Sequence, residues 1–262
     1  MPKFHTPSSQ SGRSLAGTVA LVTGAGHGMG RNHAIALARR GARVGALDID
    51  ATAVEETASL AQQEGWEVRA LVADVADDRA VRASVENLAN EYGGLDAVIS
   101  NAGVAEALTG IVDTYDGEWA RLLAVHVNGA MHVTRAAVPW LLKSESPRIV
   151  LISSMWAQRG PGYGHAYAAA KGALLAFGRN LAVELGPSGV CVNSIAPGSF
   201  RTRMADRYST EDIQRESQAI PLRRWGRLDE ISEVVCFLAS PQSSYVTGQT
   251  LAVNGGEFIG GF

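Results

Sequence analysis

Seven short apolar runs alternate with longer segments of helical periodicity along most of the chain, and few folds accept that pattern. The runs are Val19–Val22, Val44–Leu47, Val68–Val72, Ala97–Ser100, Ile149–Ile152, Val190–Ile195 and Thr250–Val253. Helical periodicity fills Gly28–Arg40, Ala51–Glu64, Asp77–Glu91, Asp116–Leu142, Tyr167–Leu185 and Asp229–Ala239. The strand-like runs are almost continuously apolar rather than alternating, as a sheet covered on both faces requires. Repeated strand–helix units mean parallel strands joined by right-handed crossovers. The pattern predicts an α/β chain: a three-layer, doubly wound parallel sheet in a single domain, residues 17–262. Residues 1–16 carry Ser, Gly and Pro with little apolar content and read as a mobile arm.

Composition narrows the function classes. At 262 residues, 46% hydrophobic and 19% charged, the chain can bury a sizeable core, which excludes disorder and fibrous structure. A net charge of −3 gives no basic footprint for nucleic acid. No apolar stretch approaches the roughly 20 residues of a membrane span, and the first residues lack the apolar centre of a secretory signal. Cys191 and Cys236 each sit inside an apolar run and read as buried thiols, so a reducing, cytoplasmic setting is expected. No His, Cys, Asp or Glu cluster has metal-ligand spacing, so no metal is expected.

The first strand leads straight into Thr23-Gly24-Ala25-Gly26-His27-Gly28-Met29-Gly30 and then a helix. Glycines admit positive φ and close backbone approach, and the N–H groups of the following helix face an anion. Such a turn suits a pyrophosphate. About 20 residues later the second strand ends in Leu47-Asp48-Ile49-Asp50. A carboxylate there accepts from both adenine-ribose hydroxyls and repels a 2′-phosphate, which argues for NAD over NADP. The competing role for Asp48 or Asp50 is a helix N-cap, which suits Asp50 better because a helix begins at Ala51. Arg39 and Arg40 would serve a phosphorylated ribose only by reaching past a carboxylate.

A second constellation joins Ser153-Ser154, at a strand end, to Tyr167-Ala168-Ala169-Ala170-Lys171. Four residues apart on a helix, Tyr167 and Lys171 share a face. A phenol with a pKa of about 10 is a poor base at neutral pH, and a nearby ammonium lowers that value. The pair makes a general acid/base for an alcohol or carbonyl. The plainer alternative is a packed Tyr beside a solvated Lys. Because Lys occurs only at 3, 143 and 171, a chance pairing at this place, after a strand end and a Gly-rich loop, is rare.

With these motifs the chain resembles the short-chain dehydrogenase/reductase family, in its short single-domain branch, over essentially all of Leu15–Phe258. Thr23 to Gly30 matches the glycine motif, Asp74-Val75 the adenine-side pair, and Ser100-Asn101-Ala102-Gly103 the Asn-Asn-Ala-Gly motif. Asn128 is taken as the helical Asn, and Ser154 precedes Tyr167 by the family's 13 positions. Pro197-Gly198 and Thr202 match the stretch beside the nicotinamide, and Tyr245–Gln249 the segment before the last strand. Ser100, Asn254 and Phe200 depart from the usual residues, and Phe200 alters the shape beside the nicotinamide. The resemblance implies a Rossmann-type fold binding NAD through Gly24, His27, Gly28, Met29, Gly30, Asp48, Ile49, Asp74, Val75, Asn101, Ala102, Gly103, Pro197, Gly198, Phe200 and Thr202. It implies that Tyr167 moves the proton of a hydroxyl, Ser154 hydrogen-bonds the developing carbonyl oxygen, Lys171 lowers the Tyr167 pKa and holds ribose hydroxyls, and Asn128 anchors a relay water.

For the substrate, the resemblance points to Met155, Trp156, Gln158, Tyr163 and His165 after Ser154. It points equally to Phe200, Met204 and Tyr208 after Gly198, with a helical stretch near 211–219 as a lid. These are mostly apolar, which suggests a hydrophobic or cyclic secondary alcohol or ketone; Arg159, Arg201 or Arg203 in the cleft would instead suit a carboxylate. Several of these side chains are equally expected simply to pack. A 3-oxoacyl carrier-protein reductase is the alternative within the family, and a catalytically silent NAD-binding sensor or scaffold the alternative outside it. Apolar residues around the two longest helices and the final six residues fit the homotetramer usual in the family.

Overall fold

The computed structural model describes residues 14–202 and 209–260. Among the described residues there are seven strands: β1 Val19–Thr23, β2 Arg43–Asp48, β3 Val68–Val72, β4 Ala97–Ser100, β5 Arg148–Ile152, β6 Cys191–Pro197 and β7 Thr250–Val253. The helices are α1 Gly28–Arg39, α2 Ala51–Gln63, α3 Asp78–Tyr92, α4 Asp116–Leu123, α5 Gly129–Leu141, α6 His165–Leu185, α7 Thr210–Ala219 and α8 Leu228–Leu238. The strands form one parallel sheet in the order β3-β2-β1-β4-β5-β6-β7. This is the doubly wound sheet that the alternation of apolar runs predicts.

Each strand sends its side chains alternately to two cores. Ala20, Val22 and Ile99 join residues of α1, α2 and α8 on one face. Leu21, Val98, Ile149 and Leu151 join residues of α3, α5 and α6 on the other. β1, β4 and β5 are buried along their whole length, which is why their sequences carry no polar alternation. The chain runs outward from β1 through β2 to β3, then returns to the other side of β1 as β4. The crevice of such a sheet opens beyond the carboxyl ends of β1 and β4, where the order reverses.

Two expectations shift. The predicted helix over 116–142 is not one regular helix: a π-helical turn, Ala124–Asn128, separates α4 from α5. Residues of the expected arm, 1–16, fall partly outside the described residues. Leu15, however, is fully buried in the α1/α8 core, and its N–H donates to the Arg40 carbonyl at 3.1 Å. A single leucine between Ser14 and Ala16 shows no periodicity for a sequence reading to use.

Cutting a buried leucine back to alanine costs about 2–5 kcal/mol. Leu15→Ala is therefore expected to lose stability in that range in urea unfolding; a loss below about 0.5 kcal/mol, typical of a surface change, would show that Leu15 is not part of the core.

Candidate active site

The glycine-rich turn is built for close approach. Gly24 (φ +65) and Gly28 (φ +52) hold backbone conformations that side chains resist. A Cβ on Gly30 would lie 2.0 Å from the Gly24 carbonyl oxygen, so the turn and the first turn of α1 can touch only through glycine. α1 starts without a side-chain cap and without an acidic residue in its first turn. Its N–H groups and dipole therefore point into the crevice uncompensated by the protein, as an anionic ligand requires.

Asp48, at the end of β2, accepts from the Gly26 N–H at 2.7 Å and the Asp50 N–H at 3.0 Å. These bonds fix its carboxylate at the rim while lone pairs remain for a ligand. Asp50 caps α2 through the Ala53 N–H at 3.1 Å, the role that its position favoured. Arg39 and Arg40 both pair with Glu233 of α8 and do not line the crevice.

The crevice is one cleft of about 880 Å³. Every residue expected to hold the dinucleotide lines it, from Gly24 in the first turn to Thr202 after β6. Ser154, Tyr167 and Lys171 line the same cleft. The Ser154 Oγ accepts from the Trp156 N–H at 3.2 Å, which leaves its hydroxyl proton for another oxygen. Lys171 is only 4% exposed, donates to the Ile152 carbonyl at 2.8 Å and lies 5.6 Å from the centre of the Tyr167 ring. Ser153 supports the same helix by donating to the Lys171 carbonyl at 2.7 Å. Burial pushes the Lys171 ammonium down to about 7, so modest neighbouring charge decides whether it is protonated.

Asn128 does not join this group. It is exposed and lines no part of the cleft. Two positions earlier His126 is buried, with its ring edge-on to Tyr167 at 5.4 Å between centres. Residues two apart on a helical turn point to nearly opposite sides, so the two side chains cannot share a face. Residue type drew the sequence reading to Asn128, whereas the π-helical turn selects His126. The imidazole Nε2 lies 2.9 Å from the Val104 carbonyl oxygen and 3.2 Å from the Val104 nitrogen, and Nδ1 has no partner among the described residues. Burial, and then the nearby Lys171 charge, push its pKa down to about 3, so it is a neutral ring across the physiological range. Gly103 makes the space: a Cβ there would meet the ring at 2.5 Å.

Of the substrate residues, Met155 and Trp156 line the cleft. Tyr163 does not; it stacks edge-on against Trp156 at 5.4 Å, behind the wall it was expected to form. Neither Gln158 nor His165 lines the cleft, and nor do Arg159 and Arg201. Met204, Arg203 and Tyr208 lie outside the described residues. Phe200 lines the cleft and packs on Gly226, where a Cβ would clash with its ring at 2.3 Å. Sequence reasoning missed Glu106, Arg121, Glu216 and Trp225, which also line it. Trp156 meets Tyr167 edge-on at 5.6 Å, so the phenol ring is held between an indole and an imidazole.

Comparison with known proteins bears on this arrangement directly. Residues 24–257 match the family described as enoyl-(acyl carrier protein) reductase. A 3-oxoacyl-[acyl-carrier-protein] reductase of Pseudomonas aeruginosa is 37% identical over 248 residues, covering 94% of this chain and 99% of the relative. The chain belongs to the short-chain dehydrogenase/reductase family. Among solved structures, an NAD+-bound xylitol dehydrogenase is 32% identical with a TM-score of 0.87, covering 92% of this chain and 99% of that one. Carveol dehydrogenase from Mycobacterium avium, in complex with NAD, is 30% identical with a TM-score of 0.90, covering 94% and 99%. The chain is an oxidoreductase of this family. Among the described residues no group of three or more His, Cys, Asp or Glu is placed to hold a metal, and no helix is long and apolar enough to cross a membrane.

The buried lysine makes stability depend on pH. The unfolded chain keeps this proton up to about pH 10.5, the folded chain only up to about 7, so stability rises with pH between those values. Lys171→Met is expected to flatten that slope and to raise Tm by ~2 °C or more below pH 7. A slope identical to the wild type in thermal unfolding would show that the amine is not buried in solution.

Proposed function

We propose that the protein oxidises a secondary alcohol to a ketone with NAD, or runs the reverse reduction. The observation that carries this reading is the meeting of Tyr167, Lys171 and Ser154 in the cleft that the glycine-rich turn also lines. The fit for a dinucleotide rests on two features: the uncapped start of α1, free of acidic residues, and the Asp48 carboxylate held at the rim. When bound, NAD supplies the nicotinamide that takes or returns the hydride. The protein's own groups manage the proton and the oxygen.

In the oxidation direction the Tyr167 phenol, as phenolate, takes the hydroxyl proton, and Ser154 donates a hydrogen bond to the same oxygen as it becomes a carbonyl. Lys171 sits close enough for its charge to favour the phenolate. Burial holds that amine near 7, and a negative charge forming on the neighbouring phenol favours its protonated form. His126 contributes no charge; together with Trp156 it orients the phenol ring.

The substrate end of the cleft is walled by Val104, Leu108, Met155, Trp156 and Trp225, which suits a hydrophobic or cyclic substrate. Arg121, Glu106 and Glu216 add polar contacts. The relatives named as 3-oxoacyl carrier-protein reductases favour a second reading, reduction of a 3-oxoacyl thioester. Asp48 at the ribose position argues for NAD in either case. Exposed Val183 and Phe237 fit association into a tetramer of identical chains.

A panel of cyclic and aryl secondary alcohols, polyols and acetoacetyl thioesters, followed by NADH and NADPH absorbance, tests the reading. Tyr167→Phe should cost roughly 10²–10⁴-fold in turnover while NADH binding, titrated by fluorescence, stays within a few-fold; retained oxidation would remove Tyr167 from the chemistry. NAD should be preferred over NADP in kcat/KM, with Asp48→Ala narrowing the gap. A clear NADP preference in the wild type would count against the role given to Asp48.

A further inference from the structure

We infer that Glu106 is a positioning residue for the reacting phenol: from the loop after β4 its carboxylate caps helix α6 and fixes where Tyr167 stands in the cleft. The inference rests on Tyr167 being the acid/base. An α-helix begins with N–H groups that have no partner of their own, and the residue at its N-cap ordinarily supplies an oxygen to the third of them. At α6 the N-cap is Gly164, in the left-handed region at φ +69, with no side chain to offer. Tyr167 is the third residue of that helix. Its N–H donates instead to the Glu106 Oε2 at 2.9 Å, across 61 residues of sequence. A Cβ at position 164 would lie 3.1 Å from the other carboxylate oxygen and 2.8 Å from the Trp156 ring. The glycine thus vacates the space that the distant carboxylate and the indole occupy.

The loop that delivers Glu106 is itself tied down. Val104 meets the His126 ring, the Ala105 carbonyl accepts from Arg121 at 3.0 Å, and the Ala107 N–H donates to Glu118 at 3.1 Å. Four successive residues therefore couple this loop to α4, to the π-helical turn and to α6. A carboxylate at a helix N-terminus is favoured by the helix dipole. Here burial pushes its pKa up, while Glu118 adds to that rise and the Tyr167 N–H and His165 oppose it. As an anion bonded to the main chain of Tyr167, Glu106 also raises the cost of forming phenolate on the same residue.

The test uses the full chain as Glu106→Ala, Glu106→Asp and Glu106→Gln, with NAD and whichever alcohol of the panel is oxidised fastest. Three quantities are read: amide hydrogen exchange across the first turn of α6, kcat against KM, and NADH binding. Glu106→Ala is expected to speed exchange at Tyr167 by about 5-fold, the loss of a ~1 kcal/mol cap. Its kcat should fall roughly 10-fold to 100-fold with NADH binding unchanged. Gln keeps an acceptor oxygen, so it should restore protection and most of kcat, and the rising limb of the oxidation pH profile should move to lower pH because the anion is gone. Asp, one methylene shorter, should behave like Ala, and it decides the matter with Gln if Ala does not fold. Unchanged exchange and kcat in Ala, a loss confined to KM, or a Gln variant as impaired as Ala would overturn the inference. A Tyr167→Phe enzyme that still turns over would sink the acid/base assignment instead, leaving the exchange data to judge the cap alone.

Discussion

Everything at the site depends on how the sheet is tied together where its strand order reverses. β1 and β4 both end there, and the half-buried backbone groups beyond them lose their ladder partners. Thr23, fully buried, accepts both the Asn101 and Ala102 N–H groups on its Oγ1, each at 3.0 Å. The Asn101 side chain returns the favour, donating to the Thr23 carbonyl at 2.8 Å and the Gly24 carbonyl at 3.3 Å. The knot also holds the glycine-rich turn against the loop after β4, so the floor of the cleft and the wall carrying Glu106 descend from one set of hydrogen bonds.

From that knot the catalytic groups follow by short steps. β5 ends in Ser153 and Ser154; the first grips α6 by its Lys171 carbonyl, and the second faces the cleft. The Ile152 carbonyl holds the lysine amine. A buried cation near its titration point and a neutral imidazole flank the phenol ring, and a half-buried carboxylate holds the main chain of the same residue. Two of these influences bear on its charge in opposite senses, and the third, with Trp156, on the orientation of its ring.

The fold and the cofactor side of the cleft were legible in the sequence because both rest on local signals. Apolar runs, a glycine turn at a strand end and an acidic residue one strand later sit at readable spacings, and the residues so identified do line the cleft. The substrate side was legible only in part. Asn128 looked right by type, yet a π-helical turn rotates the inward place to His126, and nothing in the 116–142 periodicity announces that extra residue. Tyr163 was read as cleft wall but stands behind Trp156. Glu106 left no trace because its partner is a backbone N–H 61 residues away, and a main-chain donor has no identity in a sequence. Leu15 fails the same way: one residue makes no period.

The glycines around the cleft record which large groups their neighbours carry. Gly103 leaves room for the His126 imidazole, Gly164 for the Glu106 carboxylate and the Trp156 indole, and Gly226 for the Phe200 ring. Each is matched to a large group elsewhere in the chain, from eight residues away for Trp156 to 58 for Glu106. Grafting a loop from a homologue into this scaffold would part such couples, setting a methyl group against a ring or an empty space where one used to be. Recombination at this site therefore succeeds when both members of a couple travel together, and the natural unit of exchange is the pair rather than the segment.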